Sequence, residues 1–354
     1  MMKVTLTNEI LSYITEIEHN RYKVSSVKLS KPVMNRLRKN SKKKSSYASN
    51  KIEGNPLSEK QVDEVIERDE RKHYLKPEQE VRNYFLALNY LEEKVSKKEK
   101  FSQKLILDVQ KLVEKGASKE KIGLRGSMPP GVLFAVYDSK TGNPDYIPPE
   151  YCDIPELLDE LVEYVNTTDD HPLIVAAVVH YQLVTIHPFE DGNGRTARLL
   201  SGYIMDLNGY GFNGIGSLEE YFAYDIDEYY ESIQMGLPAL YYSGRENPPH
   251  PEIWINYFLR MVKLYSGKVC DLQLASEEED IAGSLSFLKG KEKELLQFLI
   301  RNYRGEFTPI EVSRELSVSN KTVINRLAVL VKNGFAVPVF ANKRIRSYEL
   351  SEFT

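Results

Sequence analysis

The sequence predicts a mainly α-helical protein: a helical bundle carrying one short β-hairpin, followed by a small C-terminal domain of three helices and a second hairpin. Three observations carry this. Apolar residues recur three and four apart, as in Val81, Phe85, Leu88 and Leu91, the spacing of an amphipathic helix. Helix-breaking residues concentrate between Gly116 and Pro149. Charge is uneven: from Lys289 to Thr354 twelve Lys/Arg face seven Glu and no Asp, a balance of +5 that leaves −9 for the rest of a chain of net charge −4. An acidic body with a basic tail is the pattern of two differently employed domains.

The length of 354 residues suits two or three domains. With 42% hydrophobic and 28% charged residues the chain can bury a core, which excludes wholesale disorder. Two cysteines, Cys152 and Cys270, cannot build a disulfide framework, and the start Met1-Met2-Lys3-Val4 lacks a secretory signal, so the expected compartment is the cytoplasm. The longest apolar run, Leu173 to Ile186, is 14 residues and includes His180 and Gln182. A membrane span needs about 20 residues, so a buried core helix is expected and no membrane partner. A pI near 6.0 excludes a uniformly basic nucleic-acid coat. The cluster Arg36, Arg38, Lys39, Lys42, Lys43 and Lys44 reads as a solvated helix end or loop.

In chain order, residues 1–95 read as helical. Leu57 to Glu67 opens with Ser58 and Gln61, a capping-box spacing. Helices over Glu78 to Lys94 and Phe101 to Lys115 follow. Val132 to Tyr137 and Asp145 to Ile147 pair as a hairpin around Ser139-Lys140-Thr141-Gly142-Asn143. Helices resume over Ile154 to Thr167, Pro172 to Ile186 and Gly194 to Leu207, the last stopped by Asn208-Gly209. Leu218 to Gln234 and Pro251 to Leu264 complete the body, and Glu277-Glu278-Glu279-Asp280 falls in a linker. In the tail, Lys291 to Asn302, Thr308-Pro309 to Leu316, and Ser319 to Asn333 (ended by Gly334) are helices, then Phe335 to Phe340 and Ser347 to Leu350 are strands. That order is the winged helix-turn-helix order. Asn320, Lys321, Thr322 and Asn325 would lie on the exposed face of the third helix, and Lys343, Arg344 and Arg346 on or near the wing. The basic balance suits DNA phosphates, but such domains also dock proteins or mediate dimerisation, so DNA, protein and a homo-oligomer all stay open. The expected domains are 1–95, 96–265, a linker 266–288 and 289–354.

One stretch concentrates chemistry: His187-Pro188-Phe189-Glu190-Asp191-Gly192-Asn193-Gly194-Arg195-Thr196-Ala197-Arg198. A buried helix delivers His187, the side chain suited to proton transfer near neutral pH. Asp191 offers a hard oxygen ligand for Mg²⁺. Gly192-Asn193-Gly194 lets the backbone turn tightly and opens a helix whose unpaired N–H groups favour anions. Arg195 and Arg198 are three apart and suited to phosphate oxygens. A metal-dependent hydrolase built on His180, His187 and Asp191 is disfavoured, because no His-Glu-x-x-His pattern occurs and His180 sits in an apolar run as a core histidine.

The stretch resembles the signature loop of the Fic family, His-Pro-Phe-x-Asp/Glu-Gly-Asn-Gly-Arg-x-x-Arg, with every fixed position filled. Gly123-Leu124-Arg125 and Tyr146-Ile147-Pro148-Pro149 bracket the hairpin as the target-docking flap is bracketed in that family, and the likeness covers about residues 35–265. It implies a Fic-type helical bundle that transfers AMP from ATP to a Ser, Thr or Tyr hydroxyl of a protein, itself included, releasing pyrophosphate. In that reading His187 is the base, Asp191 holds Mg²⁺, Gly192, Asn193 and Gly194 cradle the phosphates, Arg195 holds the β-phosphate and Arg198 the γ-phosphate. Tyr229 and Tyr230 resemble a tyrosine pair near the base, or are core aromatics. Ser49-Asn50-Lys51-Ile52-Glu53-Gly54-Asn55 resembles the family's inhibitory motif, with Ser49 and Glu53 as its fixed residues, and in that motif Glu53 would pair with Arg198. Two alternatives remain: removal of AMP from modified proteins, with Glu53 positioning water, and a DNA-binding regulator whose loop senses nucleotide.

Overall fold

Caps and breakers divide the chain much as its pattern suggests. The computed structural model describes residues 1–68, 73–118, 121–137, 142–286, 288, 290–303, 305–332, 335–341 and 344–350. Two compact units emerge, Met1–Ser26 with Met34–Asp271, and Val27–Val33 with Leu272–Thr354. In the first, α1 (Asn8–Ser26) and α2 (Lys31–Ile52) precede α3 (Glu59–Glu67). Ser58 caps α3 with both halves of the expected capping box: its side chain accepts from Gln61 N–H and the Gln61 side chain accepts from its N–H. Next come α4 (Lys76–Ser96) and α5 (Gln103–Glu114), then the hairpin β1 (Val136–Tyr137) and β2 (Pro144–Tyr146), antiparallel with Val136 opposite Tyr146. The hairpin is shorter than expected, and its turn residues Ser139, Lys140 and Thr141 lie outside the described residues.

The helices α6 (Ile154–Thr167), α7 (Pro172–Ile186) and α8 (Asn193–Leu207) follow. From Leu173 to Ile186 every residue but Val184 is buried, as expected of a helix that is apolar over most of its surface. α8 packs on α7 and also on α4 and α5. It stops at Asn208 and Gly209, the latter at φ 79°, a left-handed C-terminal cap. The single helix expected over Leu218 to Gln234 is two, α9 (Glu219–Phe222) and α10 (Ile226–Gln234). Asp225 makes the break: in an extended conformation its carboxylate accepts from Glu228 N–H and starts a new helix instead of continuing the old one. α11 (Glu252–Ser286) runs past the expected end at Leu264 and through the segment read as a linker. Gly267 costs a helix about 1 kcal/mol relative to Ala, too little to stop one whose Tyr265, Ser266, Val269 and Cys270 are buried. Trp254 anchors α11 on α7, fully buried, its indole N–H donating to Ala177 O at 2.8 Å.

The basic cluster is only in part a solvated charge run: Arg36 and Lys39 are exposed, but the others have partners. It lies on α2, where Lys42 reaches Asn89 and Glu92 (2.8 and 2.5 Å), Lys43 reaches Glu67 (2.6 Å), Lys44 reaches Glu220 (3.2 Å) and Arg38 donates to Asn213 O. α2 buries serines as much as hydrocarbon, among them Ser41, Ser45, Ser46 and Ser49, so ion pairs and hydrogen bonds dock it where an apolar stripe is lacking.

The second unit contains α12 (Gly290–Asn302), α13 (Pro309–Glu315), α14 (Asn320–Lys332) and the antiparallel pair β3 (Ala336–Ala341) and β4 (Arg344–Leu350), the order expected of the tail. Thr308 and Glu311 form a second capping box. Leu295, Leu299, Val312, Val323, Leu327 and Tyr348 share its core. Asn320, Lys321 and Asn325 are exposed on α14, while Thr322 is half-buried and bonds Ser319. Arg346 is exposed on β4; Gly334, Lys343 and the Arg344 side chain lie outside the description. Among the described residues no helix is long and apolar enough to cross a membrane.

Asn83 secures the end of α5 that carries Glu114: its buried amide donates to Val113 O and Lys115 O, both at 2.8 Å. Asn83→Ala strands these carbonyls and is expected to cost about 2 kcal/mol, read as a lowered urea midpoint at unchanged slope. An unmoved midpoint would refute this role.

Candidate active site

His187 ends α7 in the left-handed conformation, φ 49° and ψ 57°. A non-glycine residue holds this geometry only where its surroundings impose it. Pro188 follows and cannot continue the helix. Arg125 clamps the point: its Nε donates to His187 O (2.8 Å), its Nη2 to Pro149 O, and its backbone N–H to Pro188 O (2.9 Å). The same guanidinium lies over the Phe134 ring, whose centroid is 6.0 Å from that of His187. The His187 Nδ1 is 3.2 Å from Val184 O. A carbonyl only accepts, so Nδ1 carries the proton and Nε2 keeps its lone pair. Burial lowers the imidazole's pKa to about 4, with Arg125 adding to the effect and the Val184 carbonyl opposing it.

The following turn is stapled from within. Phe189 is fully buried, and Asn193 returns both amide atoms to its backbone: Phe189 N–H donates to Oδ1 (3.0 Å) and Nδ2 donates to Phe189 O (2.9 Å). Asn193 is thus spent on loop shape. Gly192 takes φ 83°, and a Cβ there would lie 2.7 Å from Glu114 Oε1, so conformation and space both demand glycine. Asp191 sits between cations, Oδ2 at 3.2 Å from Lys121 Nζ and Oδ1 at 3.2 Å from Arg195 Nη2. Burial alone would raise its pKa; Arg195 and Lys121 outweigh that and lower it.

Arg195 is buried with Glu114, 2.9 Å away. Burial pushes the Glu114 carboxyl up to about 7, against the pull of Arg195. Arg195 Nε and Nη1 and Glu114 Oε2 have no hydrogen-bond partner among the described residues. Arg198 is buried and richly partnered. Its Nε donates to Ser49 Oγ (2.8 Å), Nη2 to Ser49 O (3.1 Å) and Glu53 Oε1 (2.6 Å), and Nη1 to the Tyr229 hydroxyl (3.3 Å). Gly194 lies directly beneath: a methyl there would collide with Glu53 Oε1. His180, in the core as expected, places Nε2 2.8 Å from the Tyr229 hydroxyl.

A cavity of about 160 Å³ is lined by His187, Gly194, Arg198, Glu53, Tyr229 and Tyr230, and also by Tyr146, Asp145 and Arg245. Of the residues singled out in the sequence, Ser49, Asp191, Gly192, Asn193 and Arg195 do not line it, and Arg195 faces Glu114 and Asp191 instead. Tyr229 is buried with its hydroxyl on Arg198, whereas Tyr230 is 43% exposed. The sequence reading missed Glu114 and the clamping role of Arg125. A signal for the first existed: Gln110 and Glu114 fall on the inward stripe of α5 with Ile106, Val109 and Val113, and polar residues on an apolar stripe have partners.

The imidazole of His187 is expected to stay neutral down to about pH 5, checked by two-dimensional NMR of the ring nitrogens. Because its folded pKa near 4 lies below the ordinary 6.5, the unfolded chain binds this proton more tightly, and the group withdraws stability as pH falls from about 6.5 towards 4. A titration midpoint between 6 and 7 would contradict the burial argument.

Residues 57–205 match the model of the Fic/DOC family. The chain is 46% identical over 67 residues to protein adenylyltransferase fic-1 of Caenorhabditis elegans, covering 18% of this chain and 13% of that protein. It is 27% identical over 206 residues to protein adenylyltransferase Fic of Drosophila grimshawi, covering 56% of this chain and 40% of that protein. The chain thus spans less than half the length of these curated relatives. Its fold resembles the crystal structure of a Fic family protein from Desulfovibrio desulfuricans G20, with a TM-score of 0.62 at 19% identity over 99% of this chain and 98% of that one. Ser49, Glu53, Tyr229 and Tyr230 fall outside the matched span, while the loop from His187 to Arg198 falls inside it. Residues 57–205 of this chain are a Fic/DOC-family domain.

Proposed function

We propose that this chain is a protein adenylyltransferase, moving AMP from ATP to a Ser, Thr or Tyr hydroxyl of a protein, itself included, and that the Ser49–Glu53 segment restrains it. One observation carries the reading: His187, Gly194 and Arg198 line one cavity, so a proton acceptor, the start of a helix and an arginine face the same space. His187 Nε2 takes the proton of the incoming hydroxyl as it attacks the α-phosphorus. The neutral ring required for this is the form that burial favours. The N–H groups at the start of α8 and the Arg198 guanidinium receive the phosphate tail. The exposed hairpin edge at Val136–Tyr137 pairs an extended target segment and aligns its hydroxyl.

Asp191 fits a magnesium ligand. Its carboxylate is kept charged by Arg195 and Lys121, and Mg²⁺ commonly takes one or two protein carboxylates with the remainder from phosphate and water. A bound Mg²⁺ would offset charge on the departing pyrophosphate.

The restraint is competition for Arg198. Glu53 occupies Nη2 at 2.6 Å and lies over Gly194, where the terminal phosphate would rest. Nucleotide bound beside Glu53 would be displaced from in-line geometry, and a misplacement of this kind can cost on the order of 100-fold in rate. A second reading, removal of AMP by water, is favoured by one feature, the presence of Glu53 and His187 in the same cavity. Incubation with an AMP-modified protein separates the two.

Glu53→Gly is expected to raise AMP transfer by roughly 100-fold, read by mass spectrometry as an AMP adduct on the chain or a target with ATP and Mg²⁺. A variant no more active than wild type ends the competition argument. His187→Ala is expected to abolish transfer while ATP binding persists; surviving transfer would remove His187 as base.

A further inference from the structure

Every contact named for Arg198 but one comes from Ser49 and Glu53, the segment proposed as the restraint. The exception is the Tyr229 hydroxyl on α10, 3.3 Å from Nη1. Tyr229 is 1% exposed and its hydroxyl lies 2.8 Å from His180 Nε2 on α7. The His180 ring is itself fully buried among Phe222, Trp254 and Phe258, at centroid distances of 5.7, 5.0 and 6.3 Å. Burial in this apolar box keeps the imidazole neutral, and a neutral ring that accepts at Nε2 must carry its proton on Nδ1. Tyrosine has one proton to give. With Arg198 able only to donate, that proton goes to His180, and the phenol oxygen is left as an acceptor for Nη1. In this arrangement the His180 Nδ1–H has no hydrogen-bond partner among the described residues, which is the cost of leaving Nε2 free to accept from the phenol. Nη1 is also the nitrogen nearest the entrance of α8, 3.2 Å from where a Cβ of Gly194 would stand.

We infer that Tyr229 and His180 are positioning residues that aim Arg198 at the entrance of α8 and hold it there when Ser49 and Glu53 withdraw, so that the arginine can grip the terminal phosphate of a nucleoside triphosphate. This rests on the nucleotide reading above and deepens it. Tyr229, expected near the nucleobase or in the core, is buried and works through the arginine. His180 acts at one further remove, as the acceptor that orients the phenol.

The test measures dissociation constants for ATP and for ADP by calorimetry, with magnesium, in the full-length Glu53→Gly chain. The parent is expected to bind ATP more tightly than ADP. Adding Tyr229→Phe is expected to cut that preference about tenfold, the scale of a lost hydrogen bond to a charged group. His180→Phe, which leaves the phenol unanchored, should cut it in the same direction and carries the test alone if Tyr229→Phe does not fold by near-ultraviolet dichroism and melting. A purely structural role would weaken ATP and ADP together and leave their ratio unchanged. A ratio that survives in folded variants overturns the inference while the nucleotide reading stands. A Glu53→Gly parent that does not distinguish ATP from ADP overturns the assignment of Arg198 to the terminal phosphate, and this inference with it.

Discussion

A single buried guanidinium, that of Arg198, is the point on which the cavity is built. Taking a charge out of water costs several kcal/mol unless hydrogen bonds replace what water supplied. Here they come from two directions: Ser49 and Glu53 on one side, Tyr229 on the other. The consequence is a charge that is satisfied yet divided in allegiance. One set of partners lies on or next to α2, docked largely by polar contacts; the other belongs to helices packed on the central, almost wholly buried α7. Of the first set only Glu53, whose side chain is 32% exposed, is open to exchange with water or ligand, whereas Tyr229 and His180 are locked by packing.

The second constraint is the left-handed His187. Its backbone is held by Arg125, which also binds Pro149 O at the base of the hairpin. One arginine thus links the helix that delivers the imidazole to the segment that would present a target. Behind the turn, Glu114 and Arg195 form a buried pair that leans on Asp191. The two arginines of the loop, three residues apart in sequence, consequently face different surroundings: Arg198 the cavity, Arg195 a carboxylate in the interior. Residues three apart on a helix are neighbours yet point about 60° apart around its axis, and here that angle is enough to divide their tasks.

Much of the fold was legible because its signals are local. The capping box at Ser58, the Thr308-Pro309 helix start, the apolar run of α7, the stop at Gly209 and the glycine turn at 192–194 each depend on residues within a few positions of one another. Where long-range packing decides, local reading failed. α11 continues through Gly267 because buried neighbours compensate its helix cost, and Lys42, Lys43 and Lys44 of α2 are paired because carboxylates of α3, α4 and α9 surround them. The break at Asp225 was locally visible as a capping residue, yet helical periodicity on both sides concealed it.

By itself the sequence determined which chemical groups are present and the turn that gathers them: an imidazole at a helix end, a carboxylate four residues on, glycines where side chains cannot fit, and two arginines. Only the tertiary structure decided what each group faces. Asn193 turns inward to staple its own loop, Arg195 meets Glu114 from a helix some eighty residues earlier, and Arg198 meets Ser49, Glu53 and Tyr229 from helices on either side of it in the chain. The physical reason is that spacing along a chain sets which residues share a turn. The partner of a buried charge is set by which helices the hydrophobic core brings together, and that information is spread over the whole domain.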